Sequence, residues 1–334
     1  MSSLHSSSDG PTLRIRGREQ PYLERRRIGR RDYYLLKRIG GPFRERFRAY
    51  DPRSGPGGSY FLVQRWPAGP RTEQQLRLWQ RLKDDSLPRV VEWQRDHEQV
   101  DVVLTWIEGL PLLEYLQHVQ NGRRPAIDPA QSLRLIHGLA NAVCKLHHHQ
   151  QVAHGDIQPA NVIITTHASR LTLIDFGSGW TTQATAFRDD GDGHHPCYAA
   201  PELQTQTTPV GFFVDQFSVS VILYELLTGK LPYGGLGGKA GRPEFIERAE
   251  RSLQPPSQVN QACAALPRSF RNRLDEIVVQ GLALDPAKRY ANRHLWLDQL
   301  FEATARFRLK PELPPVERAL TRVIAWFLKP RTPR

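Results

Sequence analysis

Only three cysteines and one methionine occur in 334 residues, and the cysteines (Cys144, Cys197, Cys263) are scattered. An odd, dispersed set supplies no disulfide framework and favours a reducing compartment. Zinc-site spacing is missing as well. Neither His147-His148-His149 with His154 nor His194-His195-Pro196-Cys197 has the paired ligands of a structural site. No apolar run approaches the roughly 20 residues that cross a bilayer. Met1 to Gly10 is Ser-rich and polar where a secretory signal is apolar. Internal repeats are absent. What remains is an expected soluble, cytoplasmic protein, with 39% apolar and 24% charged residues and room for one large domain or two lobes.

Acidic residues are also in deficit: 34 Asp and Glu against 46 Lys and Arg leave a net charge of +12. The excess gathers at the ends, beginning with Arg14, Arg16, Arg18, Arg25, Arg26, Arg27, Arg30 and Arg31. Such a segment can contact nucleic acid, anionic lipid or an acidic partner. No nucleic-acid module or interleaved aromatic accompanies it, so no sequence-specific nucleic acid is expected. Its composition predicts a solvated, disordered leader over residues 1–31.

Beyond the leader, Tyr33 to Gly40, Phe47 to Tyr50 and Tyr60 to Trp66 read as strands, with a Gly- and Pro-rich loop at Asp51 to Ser59. Leu76, Trp79 and Leu82 recur at helical spacing over residues 72–83. Val90 to Trp93 and Val100 to Thr105 suggest a hairpin. The chain then turns helical, with Leu133, Ile136, Leu139, Val143 and Leu146 in one stripe. Short strands are expected at Val162 to Ile164 and Leu171 to Ile174. Phe217 to Leu227 is apolar on every face and should be a buried helix.

Between those elements lies His154-Gly155-Asp156-Ile157-Gln158-Pro159-Ala160-Asn161, with an acid and an amide five positions apart. Ile174-Asp175-Phe176-Gly177, Ala200-Pro201-Glu202, Asp215 and Leu284-Asp285-Pro286-Ala287-Lys288-Arg289-Tyr290 follow in order. Together these resemble the catalytic loop, D-F-G, A-P-E and late motifs of the bacterial branch of eukaryotic-like serine/threonine protein kinases. The resemblance covers roughly residues 33–306. The His-Gly-Asp form also occurs in small-molecule phosphotransferases, which lack the A-P-E segment and Leu226 to Tyr233.

The resemblance implies an α+β, bilobal kinase-like fold: a small β-rich lobe over 32–107, a larger helical lobe over 108–306, and a basic tail over 307–334. It implies ATP and Mg as cofactors. Asp156 and Gln158 become the catalytic positions, and Asn161 and Asp175 the metal ligands. Gly40, Gly41, Leu62, Gln64, Leu104 and Trp106 would border the nucleotide. Asp215 should support the catalytic-loop backbone, and Arg289 should pair with Glu202.

Several positions depart from the family pattern. Gly155 replaces Arg, which removes an anchor for a phosphorylated activation loop. Gln158 replaces Lys, and His195 stands where a Thr is usual. Arg44 takes a glycine's place in the phosphate loop, beside Pro42, which has no N–H. Gln64 replaces the third-strand Lys, Leu62 replaces the Ala over the adenine, and Gln75, near Glu73, replaces the partner Glu. Arg65 would substitute for the lysine only if a bulge turned it to the cleft face. These losses favour a pseudokinase-like signalling protein that binds Mg-nucleotide with impaired or absent phosphoryl transfer. The alternative is an active, atypical serine/threonine kinase. Either implies a protein substrate or a protein signalling partner. In the tail, Val316, Ala319, Leu320, Val323, Ile324 and Phe327 form an apolar helical face ringed by Arg318, Arg322, Lys329 and Arg331. Such a helix can make a weak membrane-surface contact, but docking on the second lobe or on a partner is the plainer expectation.

Overall fold

A computed structural model describes residues 10–39, 45–81, 87–150, 152–166, 170–175, 180–181, 195–205 and 211–308. Expectations for Gly40, Gly41, Arg44, Leu82 and the tail helix fall outside them.

A hairpin of β1 (Thr12–Ile15) and β2 (Arg18–Pro21) leads into a six-stranded antiparallel sheet. The sheet contains β3 (Glu24–Ile28), β4 (Arg31–Arg38), β5 (Glu45–Asp51), β6 (Ser59–Pro67), β7 (Val90–Arg95) and β8 (Gln99–Thr105), in the order β3-β4-β5-β6-β8-β7. Helix α1 (Pro70–Arg81) joins β6 to β7. Alternation sorts the side chains of β6. Phe61 and Val63 enter a small core with Ile28, Tyr33, Leu35, Ala49 and Val103, whereas Leu62 and Gln64 take the other face. The sheet curls enough for its two ends to meet. The turn after β3 donates from Gly29 N to Gln94 Oε1 and from Arg30 N to Glu92 Oε1, both at 2.8 Å. Gly29 has φ +56°, and a Cβ there would lie 2.2 Å from Glu92 Oε1. A side chain at that seam would be strained by the backbone and would displace Glu92.

Within the leader expected to be disordered, residues 12–15, 18–21 and 24–28 form strands. Arginine content hid a period of two. Arg25 and Arg27 reach out to Asp32, while Arg26 and Ile28 point inward. Arg26 is only 8% exposed, yet Glu24 takes two of its N–H groups at 2.8–2.9 Å and Asp101 lies at 3.4 Å. Its guanidinium also covers the Phe47 ring. With its charge matched, an arginine can occupy an inward position.

The second lobe begins at β9 (Gly109–Pro111), which pairs with β11 (Val162–Thr165) and through it with β12 (Leu171–Leu173). Helix α2 (Leu112–Gln120) is followed by α3 (Pro129–Lys145), which starts with Pro129 and is capped by Asp128 Oδ1 accepting from Gln131 N at 2.9 Å. A short pair, β10 (Val152–Ala153) with β13 (Trp180–Thr181), lies beside the central loop. After α4 (Pro201–Thr205) comes α5 (Phe212–Thr228), buried around its circumference as its composition predicts and ended by Gly229 at φ +69°. Helix α6 (Ile246–Ser252), two single turns α7 (Pro256–Val259) and α8 (Gln261–Ala264), α9 (Arg268–Gly281) and α10 (Arg293–Arg308) complete the lobe. One large core joins residues of α1 and β8 to α2, α3, α5, α9 and α10. The molecule is α+β, with a curled-sheet lobe above a helical one.

Candidate functional site

The loop from His154 to Asn161 is held from beneath by one carboxylate. Asp215, on the first turn of α5, accepts from His154 N and Gly155 N at 2.8 Å each, and from His147 Nε2 at the same distance. Burial alone would raise its pKa. The hydrogen bond and charge of His147, with His154 and the Gly155 N–H, outweigh that and hold it below the usual carboxylate range. Asp215 thus has the supporting role expected of it. His147 is committed here, and His148 Nδ1 faces Arg293 Nη2 at 2.8 Å. Gly155 lies at φ +73°, a conformation that strains any residue with a Cβ. The glycine that stands in the usual arginine position thus also suits the backbone there.

On this frame the loop aims its polar groups at a cavity of about 420 Å³ between the lobes. Asp156, Asn161 and Asp175 all line it, each at most 7% exposed. Asn161 Nδ2 donates to the Asp156 carbonyl at 2.9 Å and to Asp156 Oδ2 at 3.0 Å, which turns its amide oxygen the other way. Gln158 Nε2 donates to Asp156 Oδ1 at 2.9 Å. Gln158 therefore orients the aspartate but brings no charge. Asp175 adopts φ +64°, a left-handed geometry that aspartate tolerates better than most residues. The oxygens of Asn161 and Asp175 are the hard donors that a magnesium ion prefers.

The upper wall departs more. Leu62 and Gln64 face the cavity, with Ile39, Thr105, Trp106, Ile107, Ile163 and Ile174 completing largely apolar sides. Gln64 is 1% exposed, and its Oε1 has no hydrogen-bond partner among the described residues. Arg65 points away and makes a two-pronged bond to Asp101, at 2.8 and 3.0 Å. Strand β6 runs in register with β8 without a bulge, so the condition under which Arg65 would turn to the cleft face is not met. Leu104, expected beside the nucleotide, stands directly across from Leu62 on β8 and is fully buried in the main core, behind the residues that line the cavity. Gln75 is half-buried on α1 and likewise outside the cavity lining, and Glu73 pairs with Arg95 on β7. His195 donates from its backbone N to Asp156 Oδ1 at 3.3 Å, while its ring packs 5.2 Å from that of Tyr198.

Arg46 went unnoticed in the sequence. It stands on β5 directly across from Gln64, lines the same cavity, and donates from Nη2 to Asp175 Oδ2. Its signal was available: on paired antiparallel strands, facing residues share one side. The strand expected at Phe47 to Tyr50 begins at Glu45, so Arg46 belongs to it. Farther down, Arg289 meets Glu202 through two bonds at 2.7 and 2.9 Å in a fully buried pair, as the motif order predicts.

A family model described as protein kinase domain matches residues 69–301, more than half of the chain. The serine/threonine-protein kinase PrkC of Bacillus subtilis is 26% identical over 196 residues, covering 57% of this chain and 26% of that protein. Serine/threonine-protein kinase PksC of Streptomyces coelicolor is 29% identical over 215 residues, or 63% of this chain and 36% of its own. Human ribosomal protein S6 kinase alpha-4 is 30% identical over 226 residues, 64% and 27% respectively. The chain spans about a quarter to a third of the length of these curated relatives.

Proposed function

Because the chain belongs to the protein kinase domain family, we propose that it is a signalling protein that binds Mg-nucleotide in the interlobe cleft and transfers phosphate poorly or not at all. The observation that carries this is Gln64, a neutral side chain buried at the cleft where the family pattern has a lysine, with an acceptor that has no partner among the described residues. A preorganised cation at a transferring phosphate typically lowers the barrier by about 3 kcal/mol or more, and an amide does not replace it. Gln158 repeats the loss on the opposite wall.

Binding asks less of the site than transfer does. The apolar walls from Ile39, Leu62, Ile107, Ile163 and Ile174 suit a flat base. Asn161 and Asp175 would hold the magnesium, which when bound would neutralise phosphate charge. Asp156, fixed by two amides, would face a hydroxyl group of a protein substrate. That ordered aspartate favours the second reading, an active atypical serine/threonine kinase.

Thermal melting with and without Mg-ATP tests the first step. Nucleotide at 100 times its dissociation constant should stabilise the fold by about 2.7 kcal/mol. No shift at millimolar Mg-ATP removes both nucleotide-dependent readings.

A further inference from the structure

The cleft has neutral Gln64 where the family pattern has a lysine, and it has a cation, Arg46, directly beside it. The two residues face each other across β5 and β6, so their Cβ atoms lie about 4.5–5.5 Å apart on the same side of the sheet. Both line the cavity that holds Asp156, Gln158, Asn161 and Asp175. Arg46 pairs with Asp175 and keeps only 17% of its side chain exposed. An arginine in that place is permanently charged, and its fork of N–H groups matches phosphate oxygens.

We propose that Arg46 is the phosphate-recognition residue of this cleft, held on Asp175 until a nucleotide's phosphates draw it away and free that carboxylate for the accompanying divalent cation. The proposal rests on the nucleotide-binding reading above and deepens it. Only ion pairs are exchanged. The guanidinium leaves one carboxylate for a polyphosphate of higher charge, and the carboxylate passes to the metal ion. Nucleotide and cation therefore assist each other's binding through one shared residue, and that assistance is reciprocal. Gln64 gains a role in the same scheme. Its orphaned Oε1 is an acceptor across the strand pair from a side chain rich in donors.

Calorimetric titration of the full chain with Mg-ATP and separately with adenosine tests this. Arg46→Gln removes the charge yet keeps an amide able to bond Asp175, and circular dichroism checks that the fold persists. We expect Mg-ATP affinity to fall about 10- to 100-fold while adenosine affinity holds, as befits loss of a charged hydrogen bond. Adding Gln64→Lys to Arg46→Gln should restore most of it, since the cation returns one strand over. Unchanged Mg-ATP binding by Arg46→Gln overturns the proposal and leaves the nucleotide-binding reading standing. An equal loss for adenosine overturns it too, because Arg46 would then merely shape the cleft. A double variant as weak as Arg46→Gln contradicts the exchange of positions. Failure of the wild-type chain to bind either ligand removes both readings together.

Discussion

Gly155 and Asp215 show how single residues set the site. The glycine's φ of +73° means that restoring a side chain there is costly whatever its chemistry. Gly155→Ala should lose about 1–2 kcal/mol of stability in a denaturant titration, and Gly155→Arg no less. An unchanged midpoint would show that the left-handed conformation is not required. Asp215 links the loop to solution pH. Its pKa is depressed in the folded chain, so its contribution is complete above the unfolded value of about 3.9 and is lost as pH falls through the folded value. Asp215→Asn should be less stable than wild type at pH 7, and the gap should shrink below about pH 4. A gap independent of pH would contradict the charged state of the buried group. The motifs around these residues were legible because they are local in sequence. Arg46 was not, because its role depends on strand register, and register is a property of two segments at once.

At the scale of elements, the curled sheet is wider than the resemblance alone implied. Strand β3 closes it by seating Ile28, fully buried, in the small core and by tying its turn to Glu92 and Gln94 of β7. Ile28→Ala should therefore cost about 2–5 kcal/mol in thermal or chemical unfolding. A disordered leader would show no effect. Strands β4 to β8, β11 and β12 and helices α1 and α3 were readable from residue pattern, and α5 from its uniform apolarity, whereas α2, α4 and α6 to α10 were not singled out. β3 was masked because a run of three arginines, Arg25 to Arg27, looks polar throughout while its alternate members face opposite sides. Only the partners Glu24 and Asp101, the latter 75 residues away, make the inward Arg26 tolerable.

Across the whole molecule, the second lobe carries the buried ion pair and the loop support that the motifs predict, while the first presents neutral Gln64 and cationic Arg46 to the cleft. The Arg289–Glu202 pair is buried, and Arg289 also donates to the Ala283 and Phe213 carbonyls at 2.8 Å each. Glu202→Gln leaves that guanidinium without its counter-charge and should destabilise the fold by about 3–5 kcal/mol, read as a lowered melting temperature. Wild-type melting would mean that the carbonyls alone suffice. The retained frame keeps Asp156, Asn161 and Asp175 in place, and the altered cleft decides what they can do. Transfer of labelled γ-phosphate from Mg-ATP to the protein itself, compared between wild type and Asp156→Asn, tests that division most directly. We predict incorporation at or near the Asp156→Asn background under saturating nucleotide. Robust incorporation by the wild-type chain that vanishes in Asp156→Asn would contradict the account and establish an active kinase.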